Sequence, residues 1–116
     1  MMPDLLGYQQ VRLGDRPDEL VMGWRLLERF AVAEGFALTQ VFVDRDLNRP
    51  LSALGVLIQT ARRLEVSAVA VPSGRDLGST PEVARELRSR LEREAGVRVL
   101  VVEGRKVSRR MVGGRR

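Results

Sequence analysis

The 116-residue chain holds no cysteine and no histidine, so any chemistry falls to arginine, carboxylate, amide and hydroxyl side chains. The candidates follow short apolar runs: Tyr8, Gln10 and Arg12; then Asp44, Asp46 and Arg49; then Ser73, Arg75, Asp76, Ser79 and Thr80. Arginines interleaved with acids in this way suit holding a phosphate or carboxylate, because a guanidinium presents five donors in a planar fork and stays charged. Nucleophilic attack is harder to assemble. Ser52, Ser73, Ser79 and Thr80 are the available hydroxyls, yet an activated hydroxyl needs a neighbouring base, and Lys106 is the only lysine. No serine or threonine lies between Met1 and Phe36. Asp44, Asp46 and Asp76 are the one conceivable metal set, although acids at loop tips are ordinarily solvated. No cofactor is implied.

Four strands and three helices must position these residues. Leu5 to Val11 is a short apolar run that breaks into Arg12-Leu13-Gly14-Asp15-Arg16-Pro17, with Pro17 as a first helical residue and Asp15 near it as a cap. From Pro17 to Glu34, the spacing of Leu20, Trp24, Leu27 and Ala31 predicts one buried helical face, with Val21 and Phe30 at its edges. Gly35 stops the helix. Phe36 to Val43 reads as a second strand with a polar exit loop, and Leu51 to Leu64 as a second helix with Leu51, Leu54, Leu57, Ile58, Ala61 and Leu64 inward. Ser67 to Val71 is a strand buried on both faces.

Ser79-Thr80-Pro81-Glu82 reads as a capping box based on Ser79. The third helix then buries Val83, Leu87, Leu91 and Ala95, pairs Glu86 with Arg90 on its wet side, and ends at Gly96; Val97 to Val102 is the fourth strand. Strictly alternating strands and helices predict an open α/β domain over residues 1–103, a mainly parallel sheet of four to five strands with helices on both faces. Ligands of such sheets gather beyond the carboxyl ends of the strands, where the candidate residues fall.

Residues 104–116 carry Arg105, Lys106, Arg109, Arg110, Arg115 and Arg116 and no acid, whereas the remainder has 14 basic and 15 acidic residues. The basic balance comes from this tail, whose Gly104, Ser108, Gly113 and Gly114 predict a flexible arm. Such an arm suits nonspecific contact with nucleic-acid phosphates; its composition is equally that of a solubilising tail. Arginine outnumbers lysine 19 to 1 across the chain, a bias that genomic base composition explains as well as selection does. Neither a membrane span nor a signal peptide is apparent, so no membrane partner and a cytoplasmic location are expected.

Three loops together carry a resemblance. Gly7-Tyr8-Gln9-Gln10-Val11-Arg12, Val43-Asp44 with Asn48-Arg49-Pro50-Leu51, and Val71-Pro72-Ser73-Gly74-Arg75-Asp76-Leu77-Gly78-Ser79-Thr80 stand in order and spacing much as in the serine recombinase (resolvase/invertase) catalytic domain. The chain resembles that family from about Leu5 to Glu103, which implies a resolvase-like three-layer sandwich. In the family the first strand reads Gly-Tyr-x-Arg-Val-Ser, its serine attacking a DNA phosphodiester. Matched position by position, the family arginine falls on Gln10 and the nucleophilic serine on Arg12. The third motif, Asp-Arg-Leu-Gly-Arg-Ser in the family, reads Arg75-Asp76-Leu77-Gly78-Ser79-Thr80, while Arg49 and Asp44 match the family's arginine and acid around the second strand's exit.

The resemblance thus implies a degenerate pocket of Tyr8, Gln10, Arg12, Asp44, Arg49, Arg75, Asp76 and Ser79, with no catalytic set intact. Each residue also has a plain structural reading: Gly78 makes a turn, Ser79 caps a helix, and Arg75 and Asp76 are solvated loop charges. Two functions stay open. One is a catalytically inactive recombinase-like domain that works by association, as a homo-oligomer or with a recombinase-like partner, helped by Val107, Met111 and Val112 and by DNA contact through the tail. The other is a small-ligand or phosphate-binding α/β module, with Ser79-Thr80 at a helix amino terminus. A signalling receiver would need paired acids where Arg12 stands, and an active recombinase would need the missing serine.

Overall fold

The structure is a computed structural model that describes residues 2–45 and 51–103. Its elements are β1 (Asp4–Gln10), α1 (Pro17–Glu34), β2 (Ala37–Asp44), α2 (Ser52–Leu64), β3 (Ala68–Val71), a 3-10 turn (Gly74–Asp76), α3 (Pro81–Ala95) and β4 (Arg98–Val101). The four strands pair in parallel in the order β2-β1-β3-β4. Arg49 and the tail cations Arg105, Lys106, Arg109, Arg110, Arg115 and Arg116 lie outside the described residues, as do Asp46 and the apolar Val107, Met111 and Val112.

Strand alternation divides the core into the two sides of a three-layer sandwich. Leu6 and Tyr8 of β1, with Val69 and Val71 of β3 and Val99 of β4, pack under Leu54, Leu57 and Ile58 of α2 and Leu87 and Leu91 of α3. The opposite side gathers Leu5, Ala68, Ala70 and Leu100 beneath Leu27, Phe30 and Ala31 of α1. β3 is buried on both faces, which accounts for its uninterrupted Ala-Val-Ala-Val sequence.

Three helical faces differ from the periodicity. In α1 the inward stripe is Gly23, Leu27, Phe30 and Ala31, while Trp24 and Val21 stand exposed. Gly23 brings α1 close to the sheet, since a Cβ there would meet Gln9 Oε1 and Pro72 Cγ. The backbone approach turns the helix away from its largest apolar side chain. Leu64 of α2 and Val83 of α3 are likewise exposed, each at the end of its helix where the sheet no longer covers it.

The caps differ too. α1 begins with Glu19 accepting from the Arg16 amide at 3.3 Å, and Asp15 instead closes the preceding loop by accepting from the Arg12 amide at 2.8 Å. Thr80, not Ser79, caps α3, its Oγ1 accepting from the Val83 amide at 3.2 Å; with Pro81 as first helical residue the cap falls one position later than the serine-based box. Arg90 bonds Glu94 at 3.2 Å rather than Glu86. β1 and β4 are also displaced or shortened: β1 starts at Asp4 and ends at Gln10, and β4 spans only Arg98–Val101.

Among the described residues no helix is long and apolar enough to cross a membrane.

Candidate functional site

The chain leaves β1 toward β2 on one side and reaches β3 on the other, so the crevice beyond the carboxyl ends of β1 and β3 is the topological switch point of the sheet. Gln10 ends β1 and Arg12 follows two residues later. From β3, Ser73 to Asp76 turn back against the same edge, and the Gln10 amide donates to Asp76 Oδ1 at 3.0 Å. Parallel pairing therefore joins two of the three motif loops directly.

A chain of side-chain hydrogen bonds runs along this edge. Tyr8 donates its hydroxyl to Asp44 Oδ2 at 2.7 Å, Gln10 Nε2 donates to the Tyr8 oxygen at 3.2 Å, and Arg12 Nη2 donates to Gln10 Oε1 at 2.7 Å. Burial and the neighbouring Asp44 carboxylate push the Tyr8 phenol well above its usual pKa, so it remains a hydroxyl and a donor. Asp44 also accepts from the amides of Ala53 at 2.8 Å and Leu54 at 3.0 Å. Leu51, at the N-cap position of α2, offers no side-chain cap, so a carboxylate from β2 caps that helix from outside its own sequence. This nonlocal cap is invisible to pattern reading, because its spacing to α2 has no local signature.

Asp76 is buried and accepts from Gln10 N, Ser73 N at 3.2 Å and Ser73 Oγ at 3.3 Å. Burial raises its pKa, against the lowering effect of these donors. Arg75 turns the other way and reaches Asp15 at 2.7 Å and Glu19 at 3.7 Å. The hydrogen bond from the Arg12 amide, followed by that from Arg75, holds the Asp15 carboxyl below its usual range. Sequence reading passed over Asp15 as a site residue, since it looked only like a cap; it ties the β1 exit loop to the loop after β3.

Tyr8, Gln10, Arg12, Asp44 and Asp76 are thus brought together. Arg75 joins them through Asp15, and Ser79 stands exposed across a cleft of about 470 Å³ also lined by Gln10, Arg12, Leu77 and Leu87. Asp44 and Asp76 are each engaged with protein donors, and among the described residues no group of three or more acids is placed to hold a metal ion. Arg12 is the exception to this saturation. Its Nη1 is closed off from solvent and has no hydrogen-bond partner among the described residues.

The fold matches solved serine recombinase domains. The chain superposes on the C-terminal catalytic domain of ISC1926 TnpA, an IS607-like serine recombinase, with a TM-score of 0.70 at 21% identity, covering 94% of this chain and 76% of that one. For the N-terminal catalytic domain of TP901-1 integrase the TM-score is 0.69 at 16% identity, covering 87% and 78%. For the C-terminal catalytic domain of IS1535 TnpA, another IS607-like serine recombinase, it is 0.62 at 18%, covering 84% and 69%. No protein-family model matches the chain, and no curated protein sequence does. The architecture is that of a serine recombinase catalytic domain.

Proposed function

We propose that this chain is a serine recombinase-like domain that does not cleave DNA and acts by association with a second copy of itself, with nonspecific DNA contact through its basic tail. The observation that carries this reading is Arg12. It stands just beyond β1, where the resemblance puts the nucleophilic serine, and its guanidinium is committed to Gln10 by a 2.7 Å bond. A guanidinium has only donors and stays protonated in a protein, so it can hold an oxyanion but cannot attack phosphorus.

The nearby hydroxyls do not replace the serine. Tyr8 donates to Asp44, Ser73 donates to Asp76, and Thr80 caps α3. Association is supported by Val21, Met22, Trp24 and Val32, which all stand exposed on α1, giving that helix an apolar outer surface.

The test is a duplex-DNA titration across a salt series, with covalent adducts read on denaturing gels and mass measured by light scattering. The wild type is compared with a chain in which Arg105, Lys106, Arg109, Arg110, Arg115 and Arg116 are replaced by glutamine. The expected result is no adduct, an oligomer in both proteins, and DNA affinity that disappears with the six tail charges. Counterion release from six contacts predicts a log–log salt slope of roughly −5 for the wild type. A covalent adduct, or a monomer that binds no DNA, overturns the reading.

A further inference from the structure

We infer that the cleft between the β1–β3 edge and α3 is a binding site for a small amphipathic anion: a carboxylate or phosphate head held by Arg12, with an apolar body against the α2–α3 side of the core. Three observations converge there. The cleft's volume, about 470 Å³, lies within the range of small-molecule sites. One of its walls is Arg12, a permanent cation with a desolvated Nη1 donor that no described residue satisfies. The protein acids nearest in the network do not neutralise that donor: Asp44 binds Tyr8 and the α2 amides, Asp76 binds Gln10 and Ser73, and Asp15 binds the Arg12 amide and Arg75.

The rest of the lining defines the body. Leu51, Leu77, Val83 and Leu87 contribute apolar surface, so an inorganic ion would leave most of the cleft unfilled. Glu86 also lines it and disfavours a second acidic group, and the other cation present, Arg90, is paired with Glu94. A ligand with one anionic head is therefore favoured over a polyanion. A bidentate arginine–oxyanion contact supplies orientation at the head, and burial of the body supplies affinity.

This site stands apart from the noncatalytic reading: an adduct with DNA would overturn that reading and leave the present one untouched. The test follows amide chemical shifts of the full chain while inorganic phosphate, phenyl phosphate and benzoate are added in turn. Shifts at Gln10, Arg12, Gly78 and Val83 are expected, with phenyl phosphate at least tenfold tighter than inorganic phosphate. Arg12→Gln should weaken both aromatic anions at least tenfold. Val83→Asp, a change at a half-exposed wall residue that the fold tolerates, should do the same by adding charge of the wrong sign. Equal binding of phosphate and phenyl phosphate, unchanged affinity in both variants, or shifts produced only by a DNA oligonucleotide would each overturn the inference.

Discussion

The exits of β1 and β2 lie side by side on one sheet edge, and they solve opposite problems. At the β2 exit a buried carboxylate, Asp44, receives three donors: the Tyr8 hydroxyl and two helix amides. At the β1 exit a guanidinium, Arg12, gives one donor to Gln10 and keeps another, shut off from solvent, without a partner among the described residues. A buried acid with several donors is stable in place, whereas a buried cation with donors to spare has incomplete solvation. The first is architecture and the second is capacity for a ligand, so the difference separates what builds the edge from what the edge can do.

The largest expected effect comes from the acid. Asp44→Ala removes the acceptor for Tyr8 and for both amides of α2, leaving several buried donors unsatisfied at about 1–3 kcal/mol each. Thermal unfolding should fall by well over 10 °C, given about 4–8 °C per kcal/mol for a domain of this size class. A drop of only a few degrees would mean that Asp44 does not hold α2, and the contrast with Arg12 would lose its structural half.

Gly78→Ala comes next. A Cβ on Gly78 would lie 2.8 Å from the Ala84 backbone nitrogen and 2.6 Å from Val83 Cγ1, so the start of α3 must move. Overpacking of this kind costs about 1–3 kcal/mol. Because Gly78 and Val83 both line the cleft, the same variant should also weaken anion binding there. Loss of stability with unchanged binding would place the ligand elsewhere.

Much of this arrangement was legible before any coordinates. The alternation of elements, the bounds of α1, and the convergence of the loops after β1 and β3 follow from hydrophobic period and parallel pairing, which are local signals plus one topological rule. Long-range compensations were not legible. The α1 stripe turned toward Gly23 because the sheet approaches that backbone, and no period announces a close approach. The α2 cap came from Asp44 on another element, and the closure of the β1 loop came from Asp15 through Arg75. Arg12 was readable as a residue type that cannot attack; its unsatisfied nitrogen was not, because that depends on three acids having been used elsewhere.

Tyr8→Phe probes the acid side more gently. It removes one donor from Asp44 and the acceptor of Gln10 Nε2, while both helix amides stay satisfied. About 1 kcal/mol is expected. A loss as large as that of Asp44→Ala would make the tyrosine, rather than the helix cap, the reason for the acid.

Asp15→Asn should show a pH signature rather than a large constant effect. The folded-state pKa of Asp15 lies below its ordinary value of 3.8, so the carboxylate contributes stability that is present above that value and is lost as pH falls through the lowered pKa. The variant should therefore melt below the wild type at neutral pH, and the two should converge in acid. A gap that persists at pH 2 would assign the effect to shape rather than charge.

Arg12→Met should change stability least, and its near-zero value is the sharpest test of the comparison. The substitution strips Gln10 Oε1 of its donor, a cost of about 1–3 kcal/mol for a buried amide oxygen. It also removes a desolvated guanidinium nitrogen that no described residue satisfies, which returns an amount of the same order. The opposing terms leave a melting temperature within a few degrees of the wild type, even as the cleft loses its cation. If Arg12→Met instead destabilises as Asp44→Ala does, Nη1 is satisfied within the folded protein, the two strand exits are alike, and the cleft has no spare donor to offer an anion.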